Sequence, residues 1–206
     1  MSIGLNQSAR TAQSAGAMTA TPAQLDEALL REVAQGNQLA MRTLFMRHQV
    51  RVYRFILRIV RDADLAEDVV SEVFLAVWRR AGRFEGRSAV STWLLSIARH
   101  KALTAIKPPR HERLDGDLGL AIVDPARNPE AEIHEKDGAT VLRQCLGALS
   151  PEHSEIIDLV YYQQASIKDV AEVLGIPLNT VKTRMFYARK RLAILLRAAG
   201  VDGLPS

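Results

Sequence analysis

Residues 167–191 read IKDVAEVLGIPLNTVKTRMFYARKR, and this stretch decides the architecture. Ile167, Val170, Ala171 and Leu174 recur at helical spacing and predict the inner face of a first helix. Gly175 follows at once. Having no β-carbon, it accepts the left-handed backbone that ends a helix. Pro177 stands where a second helix begins, with its φ preset and no amide hydrogen required. In that second helix Val181, Met185, Ala188, Leu192 and Leu195 advance by four, three, four and three, which makes one continuous apolar stripe. Two helices crossing at a tight turn follow, a helix-turn-helix, with Ala171 small where the helices approach.

The face opposite the stripe has another chemistry. Asn179, Thr183, Phe186, Tyr187 and Lys190 lie there, with Lys182 beside them. From Thr180 to Arg197 the chain carries Lys182, Arg184, Arg189, Lys190, Arg191 and Arg197 and no acid. A helix apolar on one side and basic on the other suits phosphate contact, with short polar side chains free to read base edges in a major groove. A cationic helix on a membrane surface would share the charge pattern, but it leaves the preceding helix, Gly175 and Pro177 without a purpose. Asn179, Lys182, Thr183, Arg184, Phe186, Tyr187 and Lys190 are therefore the candidate DNA-reading residues.

Composition narrows the rest. The chain's 206 residues can hold one domain or two small ones, and an apolar content of 48% suffices for packed cores. Aromatics at 5% and scarce β-branched alternation point to an all-α fold. The net charge of +4 biases the chain toward polyanionic partners. A single cysteine, Cys145, excludes an internal disulfide and suits a reducing, cytoplasmic compartment. Set among Val141, Leu142, Leu146 and Leu149, it reads as a small core residue. The histidines show no paired-ligand spacing, so no metal is expected. No acid is arranged with a nucleophile and no glycine loop cradles phosphate. Neither catalytic residues nor a cofactor are expected. No apolar run reaches membrane-spanning length. Residues 1–20 read as a disordered Ser/Ala/Gln tail without the apolar core of a secretory signal. Composition leaves an organellar transit peptide open.

Upstream of the helix-turn-helix the same kind of reading gives further helices. Thr21-Pro22-Ala23-Gln24 is a capping box, and Leu25, Ala28, Leu29 and Val33 predict one buried face. Asn37 caps a second helix whose stripe includes Leu44, Phe45, His48, Val52, Phe55, Ile56 and Ile59. A buried, hydrogen-bonded histidine is the reading for His48. After a break at Arg61–Ala63, Asp64 to Glu67 forms another capping box, and Leu65, Val69, Val73, Ala76 and Val77 point inward. Asp68, Ser71, Glu72, Leu75 and Arg79 then line the outer side. That stripe is either an ordinary solvated face or a docking surface for a basic protein. Leu75, with Phe74 and Trp78 at its edge, favours docking.

The segment Gly82-Arg83-Phe84-Glu85-Gly86-Arg87-Ser88 is a loop with glycine hinges, two arginines and one aromatic. A helix from Ala89 to Ile106 follows, its second half basic through Arg99, His100 and Lys101. Such a loop beside a basic helix can grip a single strand and pocket an unpaired base. Trp93 reads as core in preference to a stacking platform. Residues 108–136 carry prolines, glycines and acids (Asp115, Asp117, Asp124, Glu130, Glu132 and Glu135) against Arg127 and Lys136, and read as an acidic linker. A second domain over 137–199 contains a helix with Val141 and Cys145, a helix capped by Ser150 with Pro151 at its first position, and the pair capped by Ser166.

The order of these parts is diagnostic. DLAEDVVSEVFLAVWRR, RFEGRSAVSTWLLSIARHKAL, an acidic spacer and LSPEHSEIIDLVYYQQASIKDVAEVLGIPLNTVKTRMFYARKRL together closely resemble bacterial RNA polymerase sigma factors of the extracytoplasmic-function group. The resemblance spans about residues 25–197. It implies two helical domains, sigma region 2 over 21–107 and sigma region 4 over 137–199, joined by the linker. It implies docking of Asp68, Ser71, Glu72, Leu75 and Arg79 on the clamp helices of the largest polymerase subunit, with region 4 near the flap. It also implies capture of a flipped −10 base by Arg83 to Ser88, contact of Arg99, His100 and Lys101 with the upstream −10 region, and −35 reading by the basic face of the last helix. The linker would thread toward the polymerase active site. An anti-sigma factor is an implied partner. Tyr187 stands where relatives often carry arginine or histidine, and His100 where asparagine is frequent. A stand-alone helix-turn-helix regulator would account for residues 137–197 but not for the acidic helix or the RFEGRS loop.

Overall fold

The computed structural model describes residues 21–107 and 138–201. The expected N-terminal tail and linker lie outside them. Among the described residues the chain is all helix and turn, with no strand. Four helices form the N-terminal domain: α1 (Pro22–Ala34), α2 (Gln38–Val60), α3 (Ala63–Arg80) and α4 (Val90–Ala105). A 3₁₀ turn, Ala81–Arg83, follows α3. The C-terminal domain contains α5 (Gly138–Gly147), α6 (Pro151–Ile157) continued by a π-helical turn over Asp158–Tyr162, α7 (Ile167–Leu174) and α8 (Leu178–Ala198).

Helix ends follow local chemistry. Thr21 accepts from the Gln24 amide while the Gln24 side chain accepts from Thr21 N, the expected reciprocal box. Asn37 Oδ1 accepts from Leu39 N and Ala40 N at 2.9 and 3.1 Å. Ser150 and Ser166 cap α6 and α7 as expected. α3 departs from expectation: its cap is Asp62, which accepts from Leu65 N at 2.9 Å, two residues before the anticipated Asp64. Arg61 ends α2 in the left-handed region (φ 58°), so Asp62 is already extended and placed to cap.

The N-terminal core is built from Leu30, Leu44, Phe55, Ile56, Val73, Val77, Leu94 and Leu95, all at most 1% exposed. Each such side chain contributes about 1.5–3 kcal/mol relative to exposure. On α1 the buried face differs from the sequence reading. Leu25 is exposed, whereas Asp26 is buried beside Leu30 and Val33. The reason is polar: Asp26 accepts from Arg47 Nε at 2.7 Å and pairs with His48 Nε2 at 2.8 Å, which satisfies a carboxylate that would otherwise be costly to bury. His48 is thus the buried, bonded histidine expected. Burial pushes its imidazole below the ordinary value of 6.5, against the opposing pull of Asp26. Phe74 also departs from expectation. It is buried, edge-on to Phe45 at 4.8 Å between centroids, and so belongs to the core and not to an outward docking face. Cys145 is buried with Val141 and Leu196 in a small cluster between α5 and α8.

The two domains touch. α4 packs along α7 and α2 reaches α6. Leu159, Val170, Val173 and Leu174 are continuous with the N-terminal core through this seam.

Candidate nucleic-acid interface

The helix-turn-helix forms as its spacing dictates. Gly175 closes α7 in the left-handed region (φ 66°). Pro177 occupies the capping position one residue before α8, not its first turn, because its ψ of 145° is still extended. Val170, Val173 and Leu174 of α7 are buried with Val181, Met185 and Ala188 of α8. That burial fixes which face of α8 looks outward.

Asn179, Lys182, Thr183, Phe186, Tyr187 and Lys190 are all exposed on that face. Phe186 and Tyr187, 63% and 54% exposed, meet edge-on at 5.4 Å between centroids. Two large aromatics held in water on a basic helix are uncommon unless they contact a partner. Thr183 donates its hydroxyl to Asn179 O at 3.0 Å. Arg184 behaves differently: it is half-buried and turned toward α6, where it pairs with Glu152 at 3.3 Å.

In the N-terminal domain, Arg83, Glu85, Gly86 and Arg87 are exposed and Ser88 is half-buried. Gly86 takes φ 67°, the conformation that glycine permits and that turns the loop. Arg87 pairs with Glu85 at 2.6 Å. Phe84 is half-buried against Trp93, with 5.4 Å between ring centroids, so Trp93 is the wall on which the loop rests. On α4, His100 is exposed, whereas Arg99 and Lys101 are half-buried and each holds an acid. Lys101 Nζ donates to Glu72 at 2.8 Å, joining α4 to the outer side of α3. Arg99 donates Nε and Nη2 to the two oxygens of Glu155 at 2.6 and 3.3 Å, across the domain seam.

The outer side of α3 carries Asp68, Ser71, Glu72, Leu75 and Arg79, all exposed. Leu75 is 48% exposed and sits among these polar residues, an apolar anchor within a charged rim. Among the described residues no group of three or more His, Cys, Asp or Glu could hold a metal ion, and no helix is long and apolar enough to cross a membrane.

Sequence profiles locate both modules: sigma-70 region 2 matches residues 44–109 and sigma-70 region 4 matches residues 139–192. The chain is 31% identical over 169 residues to the ECF RNA polymerase sigma factor SigK of Mycobacterium tuberculosis (strain ATCC 25618 / H37Rv), covering 81% of this chain and 90% of that one. It belongs to the ECF sigma factors of the sigma-70 family. SigK of Mycobacterium sp. (strain KMS) is 30% identical over 167 residues, covering 77% of this sigma factor and 84% of that one. Among solved structures, CnrH in complex with the cytosolic domain of CnrY superposes with a TM-score of 0.63 at 25% identity, covering 84% of this chain and 98% of that one. The sigma factor RpoE of Bartonella quintana, solved with the anti-sigma factor NepR, shares the fold at TM-score 0.56 and 22% identity, covering 79% of this chain and 98% of that one. A stand-alone helix-turn-helix regulator would leave the region 2 match unexplained. The all-α, two-domain fold and the promoter-directing sigma function expected from the sequence both hold.

Sequence reasoning missed the contacts across the seam. Arg51 donates Nε to Gln163 Oε1 at 3.0 Å and Nη2 to the Gln163 carbonyl. Arg58 pairs with the buried Asp158 and lies 3.8 Å over the Tyr162 ring. Thr92 donates to Asp169 at 3.1 Å. The bases lie on α2 and their partners about a hundred positions away. No periodicity in the sequence links them.

Proposed function

We propose that this sigma factor uses three surfaces in one initiation complex. The outer side of α3, with Asp68, Ser71, Glu72, Leu75 and Arg79, docks on the clamp helices of the largest polymerase subunit. The Arg83–Ser88 loop, resting on Trp93, receives an unpaired −10 base, and Arg99, His100 and Lys101 meet the DNA just upstream. Asn179, Lys182, Thr183, Phe186, Tyr187 and Lys190 enter the major groove at −35. Arg184 is held by Glu152 at the margin of that face and steadies α8 against α6. Sigma region 2 is assigned to 21–107, the linker to 108–136 and region 4, near the flap, to 137–199. The chemistry of bond formation belongs to the polymerase, and the working compartment is the cytoplasm. An anti-sigma factor that covers the polymerase-facing surfaces is the regulatory partner, in keeping with the complexes in which CnrH and RpoE were solved.

One observation carries this reading: the exposed row from Asn179 to Lys190 is basic and aromatic, while Val181, Met185 and Ala188 on the opposite side of the same helix are buried. Free DNA readers of this size gain affinity from phosphate contacts and specificity from base edges. Extruding a −10 base costs a few kcal/mol, which a fitted pocket offsets. Two weak modules on one chain reinforce each other once polymerase fixes their spacing. The test is run-off transcription from a promoter library with core polymerase alone and with the chain added. Chain-dependent start sites that share a −35 and a −10 element are expected. Tight, specific duplex binding by the chain alone, with no added initiation, would replace this reading with that of a stand-alone regulator.

A further inference from the structure

We infer that the cavity walled by the end of α2, by α5 and by α6 is a binding site for a nucleoside polyphosphate. Its phosphates would meet Arg61 and Arg143, and its base would lie on the apolar wall beside Tyr162. The inference is independent of the promoter assignments.

The cavity measures about 330 Å³, and Arg58, Arg61, Arg143, Leu146, Ile157 and Tyr162 are among its lining residues. Small-molecule sites run from about 300 to 1,000 Å³ and favour places where helices and domains meet. The walls come from separate parts of the chain. α2 and its cap supply Arg58 and Arg61, α5 supplies Arg143 and Leu146, and α6 with its π turn supplies Ile157 and Tyr162.

Charge narrows the ligand class. Three guanidinium groups line the cavity, and Asp158 is the sole acid among the described lining residues. Three cations less one anion leave the lining at +2. Asp158 is already committed: it pairs with Arg58 and accepts from Gln163 Nε2 at 3.3 Å. Among the described residues Arg61 has no acid partner. Arg143 donates to neutral oxygens of its own helix, Ala139 O at 3.2 Å and Thr140 Oγ1 at 3.1 Å. Two uncompensated guanidinium groups suit phosphate better than a single carboxylate, because each presents a planar fork of donors to a multiply charged oxyanion.

The backbone at Arg61 points the same way. Its φ is 58°, a left-handed conformation that is uncommon for a residue with a β-carbon. Glycine or asparagine is the usual choice at such a helix end. A cation there gains from the helix dipole, but Arg58 in the last turn of α2 already supplies one. Backbone outliers of this kind gather at ligand sites.

The remaining wall is apolar. Ile157 is buried and Leu146 half-buried, and Tyr162 stays 50% exposed although Arg58 lies 3.8 Å over its ring. A bare inorganic anion would leave that surface wet. A nucleotide covers it with a ring while its phosphates reach the arginines. Ser154, also in the lining, offers a hydroxyl to the polar edge of the base or sugar. Because three helices share the site, an occupant would tie them together and raise the melting temperature as its concentration passes its dissociation constant.

The test uses the full chain. Binding of GTP carrying a fluorescent N-methylanthraniloyl group is read by anisotropy, with ATP, GTP and inorganic pyrophosphate as competitors. Thermal melts are run with and without unlabelled GTP. Saturable binding and a raised melting temperature are expected. Arg143→Gln should weaken binding by about tenfold, the loss of one charge-assisted contact. Arg61→Asn should do the same and melt no lower than wild type, since asparagine suits the left-handed backbone. Pyrophosphate should compete about tenfold less well than either nucleotide, because it leaves the apolar wall uncovered. Lys182→Ala combined with Lys190→Ala, on the exposed row of α8, should bind the labelled GTP as wild type does. Absence of saturable binding at about 1 mM nucleotide overturns the site, and so does unchanged binding in either arginine variant. Loss of binding in the α8 variant would move the nucleotide to the DNA-reading face. Pyrophosphate competing as well as GTP would overturn the nucleotide assignment.

Discussion

Met185 and Phe186 are neighbours on α8 and face opposite ways, so truncating each should give opposite results. Phe186→Ala removes a ring that the free protein keeps 63% exposed and that contacts Tyr187 edge-on. Surface changes of this kind alter stability by only about 0.5 kcal/mol or less. At a base edge, by contrast, a good contact is worth about 1–3 kcal/mol of discrimination. That range corresponds to roughly five- to 150-fold in use of a −35-bearing promoter. Met185→Ala opens a cavity under the helix, where the side chain is 5% exposed. Its cost is about 2–5 kcal/mol, and at roughly 4–8 °C per kcal/mol for a domain this small the melting temperature should drop by about 10 °C or more. The assay pairs thermal melts by circular dichroism with run-off transcription on templates that keep or lack the −35 element. Phe186→Ala should lose activity only on the template with the element and should melt with wild type. Equal loss on both templates would refute the placement of Phe186 at −35, and so would a melting temperature lowered as far as that of Met185→Ala.

Other predictions follow from the same geometry. Asp68→Lys combined with Leu75→Ala should weaken binding to core polymerase by about five- to thirtyfold, the effect of removing an exposed anchor and its rim charge. Surface plasmon resonance with immobilised polymerase checks this, and unchanged affinity removes α3 from the docking surface. Asp26→Ala should destabilise the N-terminal domain by about 3 kcal/mol, because charge-assisted bonds from Arg47 and His48 are lost and His48 is left buried without a partner. A urea midpoint equal to wild type would show that this network contributes nothing. Because burial lowers the His48 pKa in the folded state, the unfolded chain binds the proton more readily. Stability should therefore be fully present above pH 6.5 and fall as the pH drops below it, despite the carboxylate of Asp26 and alongside the repulsion of Arg47 and Arg51. His48→Gln should flatten that slope in urea titrations across pH 5 to 8, and an equally steep slope would assign it to other groups.

What the sequence made legible was whatever is written locally. The caps at Thr21, Asn37, Ser150 and Ser166, the left-handed Gly175 and the stripe from Val181 to Leu195 are short-range features whose physics acts within a few residues. The outward row on α8 followed from that stripe by geometry alone. Asp26 was not legible, because an acid reads as a surface residue until its partners, about twenty positions away, are known. Phe74 was misplaced for a related reason: it lies beside Leu75 in sequence but turns inward to meet Phe45. The π turn over Asp158–Tyr162 was not legible, because a change of period confined to five residues is too short to be told from an ordinary α-helical run. The diversion of Arg99 and Lys101 to Glu155 and Glu72 arises from packing between elements.

The tryptophans offer a consequence of another kind. The chain has two, and both Trp78 and Trp93 belong to the N-terminal domain, whereas Tyr161, Tyr162 and Tyr187 belong to the other. Emission excited at the red edge of indole absorption therefore watches one half of the molecule and is blind to the other. Trp93 touches Phe84 of the loop, so its spectrum should respond when a base displaces or tightens that contact. The protein carries its own optical probe at the place where strand capture would occur, and stopped-flow fluorescence can time that event without an added label.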